Sequence, residues 1–162
     1  MKKLLKIGGN RGFTLIEILV VIGIIAILAA VVLIAINPAR QFAQARNSQR
    51  VSNVNAILNA IGQNMADNKG IFTCPSGSMY FTGTPTDISK SVSDIRKCIV
   101  STYIPEISQD PTASANTCVD TVPGDCASGT YDTKYTISTS TTNRFTISAP
   151  AAELGQTIKV ER

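Results

Sequence analysis

Apolar residues dominate positions 13–36, FTLIEILVVIGIIAILAAVVLIAI, where only Thr14, Glu17 and Gly23 interrupt the run. Roughly 20 apolar residues span the hydrocarbon core of a bilayer, so the stretch predicts a transmembrane helix. It is longer than the apolar region of an ordinary secretory signal peptide, and no small-residue cleavage site follows it promptly. Past Asn37-Pro38 the pattern changes. Val51, Val54, Leu58, Ile61 and Met65 recur at steps of three and four, the stripe of an amphipathic helix. Proline disfavours the α conformation before it and removes a helix hydrogen bond, so a break or a kink is expected at Pro38. We read one kinked helix from Phe13 to Asp67, about 80 Å long at 1.5 Å per residue, with Gly70 as its stop. Arg40, Arg46 and Arg50 fall on its early polar face, placed for solvent or for lipid phosphates.

Residues 71–162 differ again. Ser and Thr fill 28 of these 92 positions, a density that suits exposed strands and loops. Strands are expected at Lys134–Ser140, Arg144–Ala149 and Thr157–Glu161, with Thr141-Thr142-Asn143 turning the first hairpin. Ile88, Val92, Ile95 and Ile99 recur at helical steps and predict a helix over Ile88–Ser101. One long helix against a small antiparallel sheet is an α+β fold.

Composition narrows the chemistry. The 162 residues include no His, which excludes a Ser-His-Asp triad, a Cys-His pair and a His-ligated zinc site. The formal charge of +4 is local: Lys2, Lys3, Lys6 and Arg11 all precede Gly12, and 11 acids balance the other 11 bases. The chain therefore lacks the basic face of a nucleic-acid binder. Cations ahead of the apolar run predict a cytoplasmic N-terminus with the C-terminal part outside.

Glu17 is out of place in the apolar run. An acid inside a membrane helix costs about 2.5–3.5 kcal/mol on insertion scales and usually needs a partner. It closes the segment Gly12-Phe13-Thr14-Leu15-Ile16-Glu17, which follows a short basic leader. This arrangement over residues 1–36 resembles the precursor signal of type IV pilins and type II secretion pseudopilins. The resemblance implies that a prepilin peptidase cuts after Gly12, that Phe13 is then N-methylated, and that Glu17 serves assembly. It also implies a pilin-like roll, its N-terminal helix transmembrane in the first half and packed on a small antiparallel sheet in the second. Cleavage frees an amine on Phe13 that is protonated near neutral pH, a natural partner for the Glu17 carboxylate of a neighbouring subunit. Many pilins carry a glycine and then a proline within the apolar run. Here Gly23 comes early and Pro38 late, a departure from that pattern; the segment between them is where any melting of the helix in a filament would fall.

The segment Tyr103-Ile104-Pro105 to Asp110-Pro111 looks like a loop of major pseudopilins, and in those proteins the region beyond it binds calcium. The resemblance makes Asp110, Asp120, Asp125 and Asp132 weak calcium candidates, although their spacing matches no fixed loop motif. Cys74, Cys98, Cys118 and Cys126 are an even set in an exported domain. They read as two disulfides with three connectivities, or as free thiols in a reducing compartment. Cys74–Cys98 and Cys118–Cys126 are preferred, the second closing a loop turned by Pro123-Gly124-Asp125.

The expected organisation is a removed leader (1–12), an assembly helix (13–36), its amphipathic continuation (37–70) and an exported domain (71–162). The expected role is a non-enzymatic filament subunit, anchored in the cytoplasmic membrane before assembly. Its partners would be the peptidase/methyltransferase, that membrane, copies of itself and other pilins. The alternatives are a secretion pseudopilin and a membrane-anchored binding module that never polymerises.

Overall fold

The structure is a computed structural model and describes residues 12–75, 77–78, 80–142 and 144–162. The leader ahead of Gly12 and the turn residue Asn143 lie outside the described residues. The chain divides into two units, Met1–Ala39 and Arg40–Arg162.

In the first unit, α1 (Leu15–Ala35) forms from the apolar run. Its large side chains are exposed all round, from Val20 at 49% to Ile34 at 87%. Ile36 adopts extended backbone (φ −93°, ψ 131°), and its N–H donates to the Val32 carbonyl. The helical ladder therefore stops. A second helix, α2 (Pro38–Asp67), starts at the proline. Proline suits a first helical position, where its missing N–H leaves nothing unpaired. The expectation of one kinked helix is corrected: two helices flank an extended residue.

In the second unit, the buried positions of α2 are Ala43, Asn47, Arg50, Val54, Ile57, Leu58, Ala60, Ile61 and Asn64. The helical step is the one expected, but its line is shifted. Val51 is 44% exposed, whereas Arg50 is 1% exposed. Arg50 therefore leaves the polar face expected of it and joins the core. Gly70 ends the helix with φ +88°, a conformation that costs glycine little, and its N–H donates to the Met65 carbonyl.

A small hairpin follows, β1 (Thr73–Cys74) with β2 (Gly77–Ser78). The main sheet contains β3 (Thr86–Ser89), β4 (Asp132–Thr139), β5 (Phe145–Ala149) and β6 (Ile158–Glu161), antiparallel in the order β3-β4-β5-β6. The last three match the expected strands to within two residues. The expected helix over Ile88–Ser101 is corrected. Ile88 lies on β3, and only α3 (Arg96–Ile99) is helical. Ile88, Ile95 and Ile99 are all fully buried, while Val92 is 59% exposed. A strand followed by a short helix turns the three isoleucines inward, which is what burial requires of them.

The core lies between α2 and the sheet. Val54, Ile57, Leu58 and Ile61 meet Tyr135, Ile137, Phe145 and Ile147. Phe72, Phe81 and Phe145 pack with centroids 5.8–6.1 Å apart. The result is the α+β arrangement of a pilin-like roll.

Candidate functional site

The motif segment is built around the start of α1. Gly12 and Phe13 precede the helix, and Thr14 is its N-cap with extended backbone (φ −82°, ψ 152°). The Glu17 N–H donates to Thr14 Oγ1 at 3.3 Å. In return the Thr14 N–H and hydroxyl both donate to Glu17 Oε2, at 2.7 and 2.9 Å. This reciprocal pair is a capping box, which satisfies two backbone donors that the helix cannot. Sequence reasoning assigned Glu17 to assembly alone and missed the cap. The Thr-x-x-Glu spacing ahead of an apolar run was the available signal.

The geometry separates two kinds of chemistry. The Gly12–Phe13 peptide bond lies outside the helix, where a protease can hold it extended. Among the described residues nothing lies within 4 Å of a Cβ built on Gly12. The chain's own packing therefore does not demand glycine there. Phe13 is 85% exposed. Leu15–Ile34 is long and apolar enough to cross a membrane, and its large side chains are exposed.

An exposed apolar helix whose one acid takes part in its own N-terminal cap defines a membrane-capable segment. Residues 8–33 match the family described as the prokaryotic N-terminal methylation motif. The chain thus carries the prepilin signal of type IV pilins and pseudopilins. No curated protein and no solved structure matches it.

In the second unit, two buried arginines organise the loops. Arg50 Nε and Nη2 donate to Asp110 at 2.6 and 3.1 Å, and Nη1 donates to Asn47 Oδ1 and Glu153 Oε2, both at 2.9 Å. Arg46 adds two bonds to Glu153 at 2.6 and 2.7 Å. Arg46 and then Arg50 hold the Glu153 carboxyl at about 2. Arg96 joins two segments, donating to Glu106 at 2.6 and 2.9 Å and to Asp120 at 2.5 and 2.9 Å. Arg96, helped by the Gly124 and Cys126 N–H groups, keeps the Asp120 carboxyl at about 2.

These contacts place the four calcium candidates. Asp110 accepts from Arg50 and Thr112, and Asp120 from Arg96. Asp125 accepts from Thr121 and the Ala127 N–H, and Asp132 from Lys134. The four carboxylates are not gathered. Among the described residues no three His, Cys, Asp or Glu side chains lie together as a metal would need.

Cys74 is bonded to Cys98 across 24 residues of sequence, which ties the β1–β2 hairpin to α3. Cys118 is bonded to Cys126 and closes the loop that holds Asp120 and Asp125.

Proposed function

We propose that this chain is the structural subunit of a type IV pilus-like filament. A prepilin peptidase cuts after Gly12, the new Phe13 amine is methylated, and the subunits assemble through α1. The reading rests on one observation: the Gly12-Phe13 bond and the Thr14 cap stand directly ahead of a helix that carries Glu17 in its first turn and exposes apolar side chains on every face. Such a helix needs lipid before assembly and neighbouring helices after it. Cleavage turns an uncharged amide nitrogen into a cation. That cation meets the Glu17 carboxylate of a neighbour in a low-dielectric bundle, where a misplaced partner leaves a charge unpaired. Both Thr14 bonds use Oε2 of Glu17, and a carboxylate has a second oxygen for a partner. The chemistry is done to this chain rather than by it.

The second reading is a pseudopilin of a type II secretion system, favoured by the Tyr103–Pro111 segment. The third is a membrane-anchored module that keeps its leader. Intact mass of sheared surface material and of washed membranes from the native cell separates the three. The pilus reading expects a chain that starts at Phe13, carries one methyl, lacks four cysteine hydrogens and is abundant in the sheared fraction. The same species confined to membranes supports the pseudopilin. A mass that still includes Met1–Gly12 in both fractions refutes the filament.

A further inference from the structure

Past Gly12 the charge is balanced but segregated. Between Lys97 and Lys134 there is no Lys or Arg, and there are five acids: Glu106, Asp110, Asp120, Asp125 and Asp132. Past Gly12, the rest of the chain sets 11 bases against six acids. Arg50 and Arg96 neutralise three of the five acids internally. Asp125 is held instead by the Thr121 hydroxyl and by backbone N–H groups. It sits in the Cys118–Cys126 loop, where Val119 and Val122 are each 62% exposed. A cross-linked loop is ordered before it binds, so presenting two valines and an acid costs little further entropy.

On other elements lies a pocket of about 240 Å³, lined by Leu58, Gly62 and Met65 of α2 and by Phe145 at the start of β5, with Arg144 and Arg162 beside it. Nothing lies within 4 Å of a Cβ built on Gly62, so the missing side chain helps keep the pocket open. Glu161 is the acid facing Arg144, at 3.4 Å, and Arg162 donates to Asn59. Two guanidiniums beside an apolar floor call for an occupant that is apolar and acidic at once.

We infer that the Cys118–Cys126 loop of one copy seats Val119 and Val122 in the Arg144–Arg162 pocket of a second copy, with Asp125 facing the guanidiniums. Loop and pocket share no residue, so the contact is head-to-tail. Such contacts propagate into open filaments unless the rotation closes them into a ring. Opposite charges on the two halves fix which surfaces meet and disfavour loop-to-loop and pocket-to-pocket encounters. The inference rests on the filament reading and adds a contact between exported domains to the helix-to-helix assembly.

The test uses the full-length chain in its native cell, with p-benzoyl-phenylalanine in place of Val122. Filaments are sheared, irradiated and digested, and the cross-linked peptides are sequenced. The expected cross-link joins the loop to peptides that contain Met65 or Phe145 of another copy. Gly62→Leu fills the pocket with a good helix former and is expected to lower that cross-link about tenfold with no loss of thermal stability. Asp125→Arg and Arg144→Glu are each expected to lower it as much, and the two together to restore it. Filaments in normal amount whose cross-links land elsewhere overturn the contact and leave the filament reading standing. An absence of filaments from the unmodified chain overturns both.

Discussion

The most informative perturbation of the exported domain is Asp110→Asn. The Arg50 and Asp110 side chains are 1% and 0% exposed and meet through two hydrogen bonds of 2.6 and 3.1 Å. Asparagine keeps the shape but removes the charge, and its amide turns a donor toward either Arg50 or Thr112. Breaking a buried pair by removing one partner costs about 3–5 kcal/mol. Here Glu153 remains 2.9 Å from Arg50, so the guanidinium is not fully stranded. The expected loss is therefore at the lower end, about 3 kcal/mol. For a domain between the 100- and 150-residue scales this lowers Tm by about 10 °C.

The assay is thermal unfolding of detergent-solubilised full-length protein at pH 7 with disulfides intact, followed by circular dichroism. Arg144→Gln is the control, because the Arg144–Glu161 pair is 58% and 38% exposed at 3.4 Å. Exposed pairs of this kind contribute little, so its Tm should stay within about 2 °C of the parent. Arg50→Met combined with Asp110→Asn removes the orphaned cation and should recover about half of the loss. A Tm drop below about 3 °C for Asp110→Asn, or a double variant no better than the single, would falsify the stranded-charge argument.

Acid should unfold the exported domain. Asp120 and Glu153 both titrate at about 2, and Arg96 holds Glu106 below the carboxylate range. For Asp110, burial pushes the carboxyl up, but Arg50 and Thr112 outweigh it and the net direction is down. A depressed folded pKa means stability present above the unfolded value of about 4 and lost as pH falls toward 2. Tm should be nearly flat from pH 7 to 5 and fall steeply between 4 and 2; a flat profile to pH 2 refutes the assignment. Serine at Cys74 and Cys98 should cost about 3.5 kcal/mol, against about 2.5 for the Cys118–Cys126 pair, because the sequence separations are 24 and 8. Urea unfolding of the two variants checks the order. Thr14→Ala removes the N-cap and should cost α1 about 1 kcal/mol of helix stability, read as amide exchange in the first turn, while leaving cleavage intact. Glu17→Ala should leave a cleaved, membrane-inserted protein that yields few filaments in sheared fractions; normal yield defeats the proposed pairing with the Phe13 amine.

The parts of the fold that were legible in the sequence are those decided by local pattern. The run from Phe13 to Ile36 reads directly as a helix long and apolar enough to cross a membrane. Strand β4 alternates in burial, and the link between the last two strands is punctuated by Pro150 and Gly155. The Cys74–Cys98 bond is the one preferred among the three connectivities open from the sequence. Elements decided by distant partners were less legible. Strand β3 carries one apolar residue, Ile88, and exists because β4 offers it an edge. The capping box is local and readable, since Thr14 stands three residues ahead of Glu17 before the apolar run.

Helix α2 shows why a hydrophobic stripe and a buried stripe differ. Its buried line runs through Ala43, Asn47, Arg50, Val54, Ile57, Ile61 and Asn64 and keeps steps of three and four throughout. The period survives where hydrophobicity lapses, at Asn47, Arg50 and Asn64. Asn47 and Arg50 reach segments without regular structure, and Asn64 ties the short elements β1 and α3 to the helix. Asn47 donates to the Glu153 carbonyl, and Arg50 binds Asp110. Asn64 donates to the Thr73 and Cys98 carbonyls and accepts from the Thr73 N–H. A leucine at any of these sites would bury as well but would leave loop carbonyls or carboxylates without donors, which costs more than the burial gains. The helix thus secures the sheet with aliphatic side chains and the loops with polar ones. Apolar repeats reveal only the first, because the second depends on partners up to 109 residues away in sequence.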